Sequence, residues 1–195
     1  SSDLLRKAIA TYLNLERGAK CSPDQILVLS STRQALFLCA QLLVDAGKPI
    51  LLENPGYFGA KKAFESAETK VVSIDVDALG IRTDLLQADR SGANCVYVTP
   101  SHQYPTGATL PLERRLELIN WAAEQGKWVI EDDYDSEFHY DGQPTACVQG
   151  LDKYQRTIYL GTFSKTLYPG LRMGYMILPH ELIKAFTYAR SIMDG

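Results

Sequence analysis

Hydrophobic residues recur along this chain in two alternating patterns, one with the spacing of a helix and one with the continuity of a buried strand. Helical spacing predicts helices over residues 4–13, 32–43, 58–68, 111–125 and from 180 onward. Short continuous apolar runs predict strands over residues 26–29, 50–53, 71–76, 95–98, 128–130, 157–160 and 175–178. Apolar strands separated by helices are typical of a sheet that is covered on both faces. The pattern therefore predicts an α/β fold of three layers, with a mostly parallel sheet between helices.

The composition limits the classes of protein to which this chain can belong. It has 195 residues, of which 46% are hydrophobic and 22% charged, which is typical of a folded globular domain. Its formal net charge is -3 and it has no cluster of Lys and Arg, so its electrostatic attraction for nucleic acid is weak. No apolar run approaches the roughly 18–20 residues that span a bilayer, and no signal peptide opens the chain. We therefore expect a cytoplasmic domain that contacts no membrane.

The cysteines are too scattered to indicate a disulfide framework or a metal site. Cys21, Cys39, Cys95 and Cys147 are far apart and form no C-x-x-C pair. Cys39 and Cys95 lie inside apolar segments, which predicts buried, reduced thiols.

Polar side chains follow the first two predicted strands, at the sheet edge where open α/β sheets bind ligands. Ser30, Ser31 and Thr32 lie at the start of a helix, where free backbone N–H groups and the helix dipole favour an anion. The same residue types are ordinary helix caps, and capping is the commoner role. Tyr57 follows the second strand, where it either faces the crevice or packs on the turn over 54–56.

Two longer polar segments follow the strands over 95–98 and 128–130. The loop over 99–107 is rich in turn formers and hydrogen-bonding side chains, and it includes His102 and Tyr104. The segment over 131–135 contains four acids and Tyr134, which suits a metal site, a solvated face or a ligand contact. Acids directly at the carboxyl end of a strand are well placed to meet a ligand.

A lysine between two hydroxyl side chains follows the strand over 157–160. Lys165 lies between Ser164 and Thr166, and Arg172 comes seven residues later, which suits a phosphate beside a reactive amine. An anion site, an aromatic ring, an acid and a lysine are together what pyridoxal 5′-phosphate requires. The lysine amine forms a Schiff base with the aldehyde, and the acid keeps the pyridine nitrogen protonated. The sequence therefore predicts pyridoxal 5′-phosphate as cofactor.

These segments resemble the fold-type I aminotransferases over nearly the whole chain. The stretch from Gly161 to Tyr175 is similar to the S-x-S-K…P-G-L-R-x-G signature of that superfamily. The resemblance implies that Lys165 carries the Schiff base and that Arg172 binds the phosphate. It implies Asp132 as the partner of the pyridine nitrogen, with Asp133 as the alternative. The other implied contacts are Ser30, Ser31 and Thr32 as the phosphate turn, Tyr57 as the stacking ring, Tyr134 at the 3-oxygen, and Thr162 and Ser164 as supporting hydroxyls.

Within that superfamily the chain most resembles the MocR subfamily of GntR-type bacterial regulators, which join a winged-helix DNA-binding domain to an aminotransferase-like domain. The stretches S-H-Q-Y-P-T-G over 101–107 and E-D-D-Y-D-S-E-F over 131–138 are similar to motifs of that subfamily. Tyr104 stands where ordinary aminotransferases have Asn, which leaves His102 or Tyr134 to serve the 3-oxygen and favours a regulator. Ser31 stands where the phosphate turn commonly has Gly, which gives the backbone less freedom.

The resemblance implies that residues 1–195 are the large cofactor-binding domain of a longer regulator, without its winged helix and small C-terminal domain. It implies a homodimeric sensor that binds pyridoxal 5′-phosphate, alone or with a small-molecule amine or amino-acid effector, and that binds DNA only through the absent domain. The alternative is an amino-acid aminotransferase, in which Lys165 also moves a proton, assisted by Asp132 and Tyr134. A nucleotide-binding module is disfavoured because the chain has no G-x-G-x-x-G or P-loop pattern.

Overall fold

The computed structural model describes residues 2–135, 145–162 and 173–194, and an eight-stranded sheet lies at its centre. The strands are β1 (Ile26–Leu29), β2 (Pro49–Asn54), β3 (Lys70–Asp77), β4 (Gly80–Ile81), β5 (Cys95–Val98), β6 (Trp128–Asp132), β7 (Thr157–Thr162) and β8 (Gly174–Ile177). Their spatial order is β1-β8-β7-β6-β5-β2-β3-β4. The strands from β7 to β3 run parallel, whereas the pairs β1–β8, β7–β8 and β3–β4 are antiparallel.

Helices cover both faces of this sheet. They are α1 (Ser2–Glu16), α2 (Thr32–Leu43), α3 (Phe58–Ser66), α4 (Thr83–Ala88), α5 (Leu112–Gln125), α6 (Val148–Leu151) and α7 (Ile183–Asp194). Side chains of α2, α3 and α7 pack in one buried cluster with one face, called here the α2 face. Side chains of α4, α5 and α6 pack on the opposite face, called here the α5 face, and α1 packs beside them against β7 and β8. This arrangement confirms the predicted three-layer α/β fold.

The predicted elements match the observed ones to within a few residues, apart from three short elements. Helices α4 and α6 and strand β4 were not predicted, because six, four and two residues are too few to develop a periodic pattern. The central strands are buried on both faces, which explains their continuous apolar runs. The antiparallel direction of β8 is decided by its pairing with β1 and β7 and has no signal in its own residues.

A close approach between two backbones ties the end of α1 to α6. A Cβ atom added at Gly150 would lie 1.7 Å from the carbonyl oxygen of Gly18, so only glycine fits there. Gly18 itself has a φ of +65°, which side chains other than glycine rarely adopt. The contact brings Arg17 over the carboxyl ends of the central strands, where it is buried.

The four cysteines are free thiols, of which Cys39, Cys95 and Cys147 are buried and Cys21 is half-buried. Burial raises the pKa of the Cys95 thiol to about 12, so it stays protonated and unreactive at neutral pH. In the part of the chain that the structure describes, no helix is both long and apolar enough to cross a membrane.

Candidate functional site

The turn between β1 and α2 contains the predicted anion site, and it is also a helix cap. The Ser31 hydroxyl accepts a hydrogen bond of 3.1 Å from the backbone N–H of Gln34, as expected of an N-cap. Ser30 is exposed, and its backbone N–H and hydroxyl both donate to the Gln34 side chain, at 3.0 and 2.9 Å. Thr32 begins the helix and is half-buried. Two of these residues therefore already have partners on α2.

Three strand ends meet at this turn. Gly174 at the start of β8 is paired with Leu29 at the end of β1 and with Thr162 at the end of β7. A Cβ added at Gly174 would lie 3.3–3.4 Å from backbone atoms of Ser31 and Thr32, so the strand and the turn are in close contact. The chain on either side of residues 163–172 is thus anchored beside the predicted phosphate turn.

Tyr57 lies at the start of α3, at the carboxyl edge of β2. Its ring folds back over Gly59, where an added Cβ would come within 2.5 Å of the ring's Cζ and Oη atoms. The side chain is 42% exposed, so it faces an opening rather than the core. A cavity of about 250 Å³ lies beside it and is also lined by Glu53, Lys61 and Tyr97. Tyr57 therefore packs against the start of α3 and also borders this cavity.

Gln103 lies in the loop that follows β5 and connects that loop to the turn at Pro55. Its amide nitrogen donates to Glu53 Oε1 at 3.3 Å, to the Pro55 carbonyl at 2.9 Å and to the Tyr104 carbonyl at 2.6 Å. Its amide oxygen accepts from the backbone and hydroxyl of Thr106, at 3.1 and 2.6 Å. Gln103 is 1% exposed. Its place in the S-H-Q-Y-P-T-G motif is therefore explained by structure, because it fixes the loop after β5 to the turn at Pro55.

Four rings form a continuous aromatic wall at the edge of the sheet. The ring centroids of Tyr57 and Tyr104 are 5.5 Å apart, and those of Tyr104 and Tyr134 are 6.1 Å apart, both in edge-to-face geometry. His102 stacks on Tyr134, and the Tyr134 hydroxyl lies 3.3 Å from His102 Nδ1. Burial, followed by nearby acids, raises the pKa of Tyr134 to about 12, which leaves its hydroxyl protonated and able to donate.

The acids over 131–135 point to different partners. The Glu131 carboxylate accepts the backbone N–H groups at the start of α6, at 2.8 and 2.9 Å. Asp132 accepts from the Tyr97 hydroxyl, Asp133 pairs with Arg17, and Asp135 pairs with His102. Since Glu131, Asp132 and Asp133 are each at most 3% exposed, these acids do not form a solvated face. Within the described residues no three metal-ligating side chains converge.

Asp132 and Asp133 lie on opposite faces of the sheet because successive strand residues alternate. Asp132 is on the α2 face with Tyr97, at the same edge as the N-termini of α2 and α3. Asp133 is on the other face, where Arg17 donates to both of its oxygens at 2.8 and 3.2 Å and the Tyr159 hydroxyl donates as well. The alternation thus gives one acid to the candidate site and the other to a buried ion pair.

Three buried carboxyls at this edge have raised pKa values, and burial raises that of Glu131 to about 7. Burial raises the pKa of Asp132 to about 7, and the hydrogen bond from Tyr97 works in the opposite direction. Burial also raises the pKa of Glu53 to about 7, against hydrogen bonds from Thr99 and Gln103. Strongly shifted acids in a crevice are typical of functional sites.

Three of the predicted site residues lie outside the described part of the chain, and two other residues near the site were not predicted from the sequence. Ser164, Lys165 and Arg172 belong to residues 163–172, outside the described part of the chain. From the sequence, Tyr97 looks like one more core residue of β5, and Arg17 looks like a surface residue at the end of a helix. Only the contacts with Asp132 and Asp133 reveal what these two side chains do.

Comparison with known proteins identifies relatives of two kinds. The chain is 42% identical over 182 residues to a protein named as the probable rhizopine catabolism regulatory protein MocR of Rhizobium meliloti, which is 93% of this chain and 36% of that protein. It is 44% identical over 180 residues to the uncharacterized HTH-type transcriptional regulator YdeL of Bacillus subtilis (strain 168), or 92% of this chain and 38% of that protein. The chain therefore spans little more than a third of these regulators.

A solved structure and a family model agree with these relatives. The kynurenine aminotransferase of Pyrococcus horikoshii superposes with a TM-score of 0.86 at 32% identity, over 97% of this chain and 48% of that one. The model of aminotransferase class I and II matches residues 1–193. The chain therefore belongs to the aminotransferase class I and II family, which implies pyridoxal 5′-phosphate as its cofactor.

Proposed function

We propose that this chain is the cofactor-binding effector domain of a transcriptional regulator, with pyridoxal 5′-phosphate held covalently by Lys165. The observation that carries the proposal is Asp132, a buried acid at the carboxyl end of β6. In residues 2–135, 145–162 and 173–194, no cationic side chain forms an ion pair with it. A buried carboxylate is costly unless it is paired, and the protonated ring nitrogen of the cofactor supplies the missing positive charge.

The surroundings of Asp132 fit the rest of the cofactor. Tyr57 presents a partly exposed ring for stacking, and the protonated Tyr134 hydroxyl is a donor suited to the 3-oxygen. His102 is engaged with Asp135, which favours Tyr134 over His102 for that contact. When bound, the cofactor supplies an electron-withdrawing ring, and these residues hold and orient it.

The phosphate end is supported by the turn at Ser30, Ser31 and Thr32 and by its contact with Gly174. Helix α2 starts there, with backbone N–H groups and a dipole that favour an anion. Thr162 ends β7 beside Gly174. In sequence Ser164 and Lys165 follow Thr162, and Arg172 precedes Gly174, so we assign these residues to the phosphate and the reactive amine.

Two observations favour a regulator over an enzyme. Tyr104 stands in the aromatic wall where aminotransferases commonly have Asn. The identity to named regulators reaches 42–44%, against 32% for the 2-aminoadipate transaminase of Thermus thermophilus. We therefore assign DNA binding to another domain and propose an amine or amino-acid effector, a homodimer and a cytoplasmic location.

The first test is chemical trapping of the cofactor. The chain is mixed with pyridoxal 5′-phosphate, its spectrum is recorded, the adduct is reduced with borohydride, and the modified peptide is identified by mass spectrometry. A tag on Lys165 supports the proposal. If the full-length protein carries no tag, the cofactor proposal is wrong.

The second candidate, an amino-acid aminotransferase, shares Lys165 and Asp132 with the regulator, so trapping does not separate the two. Incubation of the loaded full-length protein with amino acids and a keto acid does so. Catalytic release of a new amino acid supports the enzyme. A spectral change without turnover, together with altered binding to operator DNA, supports the regulator.

A further inference from the structure

Tyr97 and Asp132 form a buried pair across two neighbouring strands. Tyr97 is 2% exposed in β5, Asp132 is 3% exposed at the end of β6, and the Tyr97 hydroxyl donates to Oδ2 of Asp132. The ring of Tyr97 also contacts Phe64 of α3, with centroids 6.1 Å apart in edge-to-face geometry. A phenylalanine would fill this part of the core equally well, so packing does not account for the hydroxyl.

The hydroxyl group acts on the charge state of the acid. Asp132 lies among other acids, since Glu53, Asp133 and Asp135 all interact with it unfavourably. Burial works in the same direction and favours the neutral carboxyl. A hydrogen bond donated to the carboxylate favours the ionised form, and among the described residues Tyr97 provides it.

We propose that Tyr97 is a positioning residue whose hydroxyl favours the ionised form of Asp132 and orients that carboxylate toward the protonated ring nitrogen of pyridoxal 5′-phosphate. This inference rests on the proposed function. According to this inference, two residues make the site specific for a cofactor with a basic ring nitrogen. Of these two, Asp132 contacts the ring, and Tyr97 acts through Asp132.

The chain offers a matched pair as a control. The Tyr159 hydroxyl donates to Asp133, and both residues are at least as buried as Tyr97 and Asp132. Asp133 differs in one respect, because Arg17 already neutralises it. Removal of the Tyr159 hydroxyl therefore disturbs an equivalent buried pair without changing the candidate site.

The test compares Tyr97→Phe and Tyr159→Phe in the full-length protein by absorbance titration. One ligand is pyridoxal 5′-phosphate, and the other is an analogue in which carbon replaces the ring nitrogen. We expect Tyr97→Phe to weaken binding of pyridoxal 5′-phosphate by roughly tenfold or more, the usual effect of losing a hydrogen bond to a charged group. Binding of the analogue should be unchanged, and Tyr159→Phe should leave both affinities as in the wild type.

A second comparison uses the Asp132→Asn background. There Tyr97→Phe should not weaken binding of pyridoxal 5′-phosphate further, because the charge that it serves is absent. Equal losses for both ligands would indicate a general packing defect and overturn the inference, as would an unchanged affinity for pyridoxal 5′-phosphate. If the wild type itself binds no pyridoxal 5′-phosphate, the proposed function fails and this inference fails with it.

Discussion

At the scale of single residues, two adjacent acids differ more than their identity suggests. Asp132 is a buried acid without an ion-pair partner among the described residues. Asp133, by contrast, is paired with the guanidinium of Arg17 and also accepts a hydrogen bond from the Tyr159 hydroxyl. The same guanidinium donates to Ser101. The first arrangement suits a ligand charge and the second suits stability. A change of either acid should therefore affect a different property of the protein.

We predict that Asp132→Asn weakens cofactor binding by roughly 2–4 kcal/mol, since it removes one partner of a buried ion pair. Absorbance titration measures this loss, whereas urea unfolding of the cofactor-free protein should show no loss of stability, because the change also removes the cost of ionising a buried acid. Asp133→Asn should do the opposite: it leaves Arg17 buried without its counter-charge and lowers the free energy of unfolding by roughly 3–5 kcal/mol. If Asp133→Asn alone impaired the spectrum of the bound cofactor, the assignment would have to be exchanged.

The lysine is the second residue with a distinct prediction. Lys165→Ala should abolish the Schiff-base absorbance and leave weaker, reversible binding through the phosphate turn. Lys61, which lines the cavity beside Tyr57, provides the control, because Lys61→Ala removes a nearby amine and should leave the absorbance intact. Unchanged absorbance in Lys165→Ala would mean that another lysine carries the bond.

At the scale of elements, the start of α3 determines where the ring of Tyr57, which we propose stacks on the cofactor, lies. Tyr57 folds over Gly59 because that residue has no Cβ. The obstruction is a side chain rather than backbone, so a larger residue displaces the ring and leaves the helix in place.

Gly59→Ala is therefore expected to weaken cofactor binding while leaving the thermal unfolding midpoint close to that of the wild type. The two measurements are an absorbance titration and a melting curve followed by circular dichroism. In a Tyr57→Ala background the Gly59→Ala change should have no further effect on affinity, because the ring that it displaces is gone. A persistent loss of affinity there would place the effect in the backbone instead.

At the scale of the whole molecule, burial of several acids at one sheet edge makes stability depend on pH. Burial raises the pKa of Glu53 to about 7 from an ordinary value of 4.5. Between these values the folded state keeps a proton that the unfolded state has released, so stability falls as pH rises through the window. Glu131 and Asp132 act in the same direction.

Glu53→Gln isolates one part of this dependence, because it mimics the protonated acid and keeps an oxygen that accepts from Thr99 and Gln103. Between pH 5 and pH 8 the cofactor-free variant should gain about 2–3 kcal/mol of stability relative to the wild type. Urea unfolding at several pH values measures the difference. Parallel stability curves for the two proteins would contradict the raised pKa of Glu53.

The sequence alone determined the layered fold and the order of the polar segments along it. Periodicity depends on neighbouring residues, so it predicted nearly every helix and strand, and the carboxyl-end rule located Ser30, Tyr57, Asp132 and Tyr134 at one edge. Short elements such as α4 escaped because few residues carry no period. The pattern around Lys165 and Arg172 suggested a phosphate beside a reactive amine, and the resemblance then implied the specific role of each residue.

The tertiary structure decided between neighbours that the sequence leaves equivalent. Asp132 and Asp133 are the same residue type one position apart, and only the elements packed on each face tell them apart. Arg17 reaches Asp133 from 116 positions away, and Tyr97 reaches Asp132 from 35. Such contacts depend on how α1 and the sheet pack, and the local spacing of hydrophobic and polar residues contains no information about that packing. The charge state of the candidate site therefore depends on the tertiary structure, whereas its position at the carboxyl edge of the sheet is predicted by the sequence.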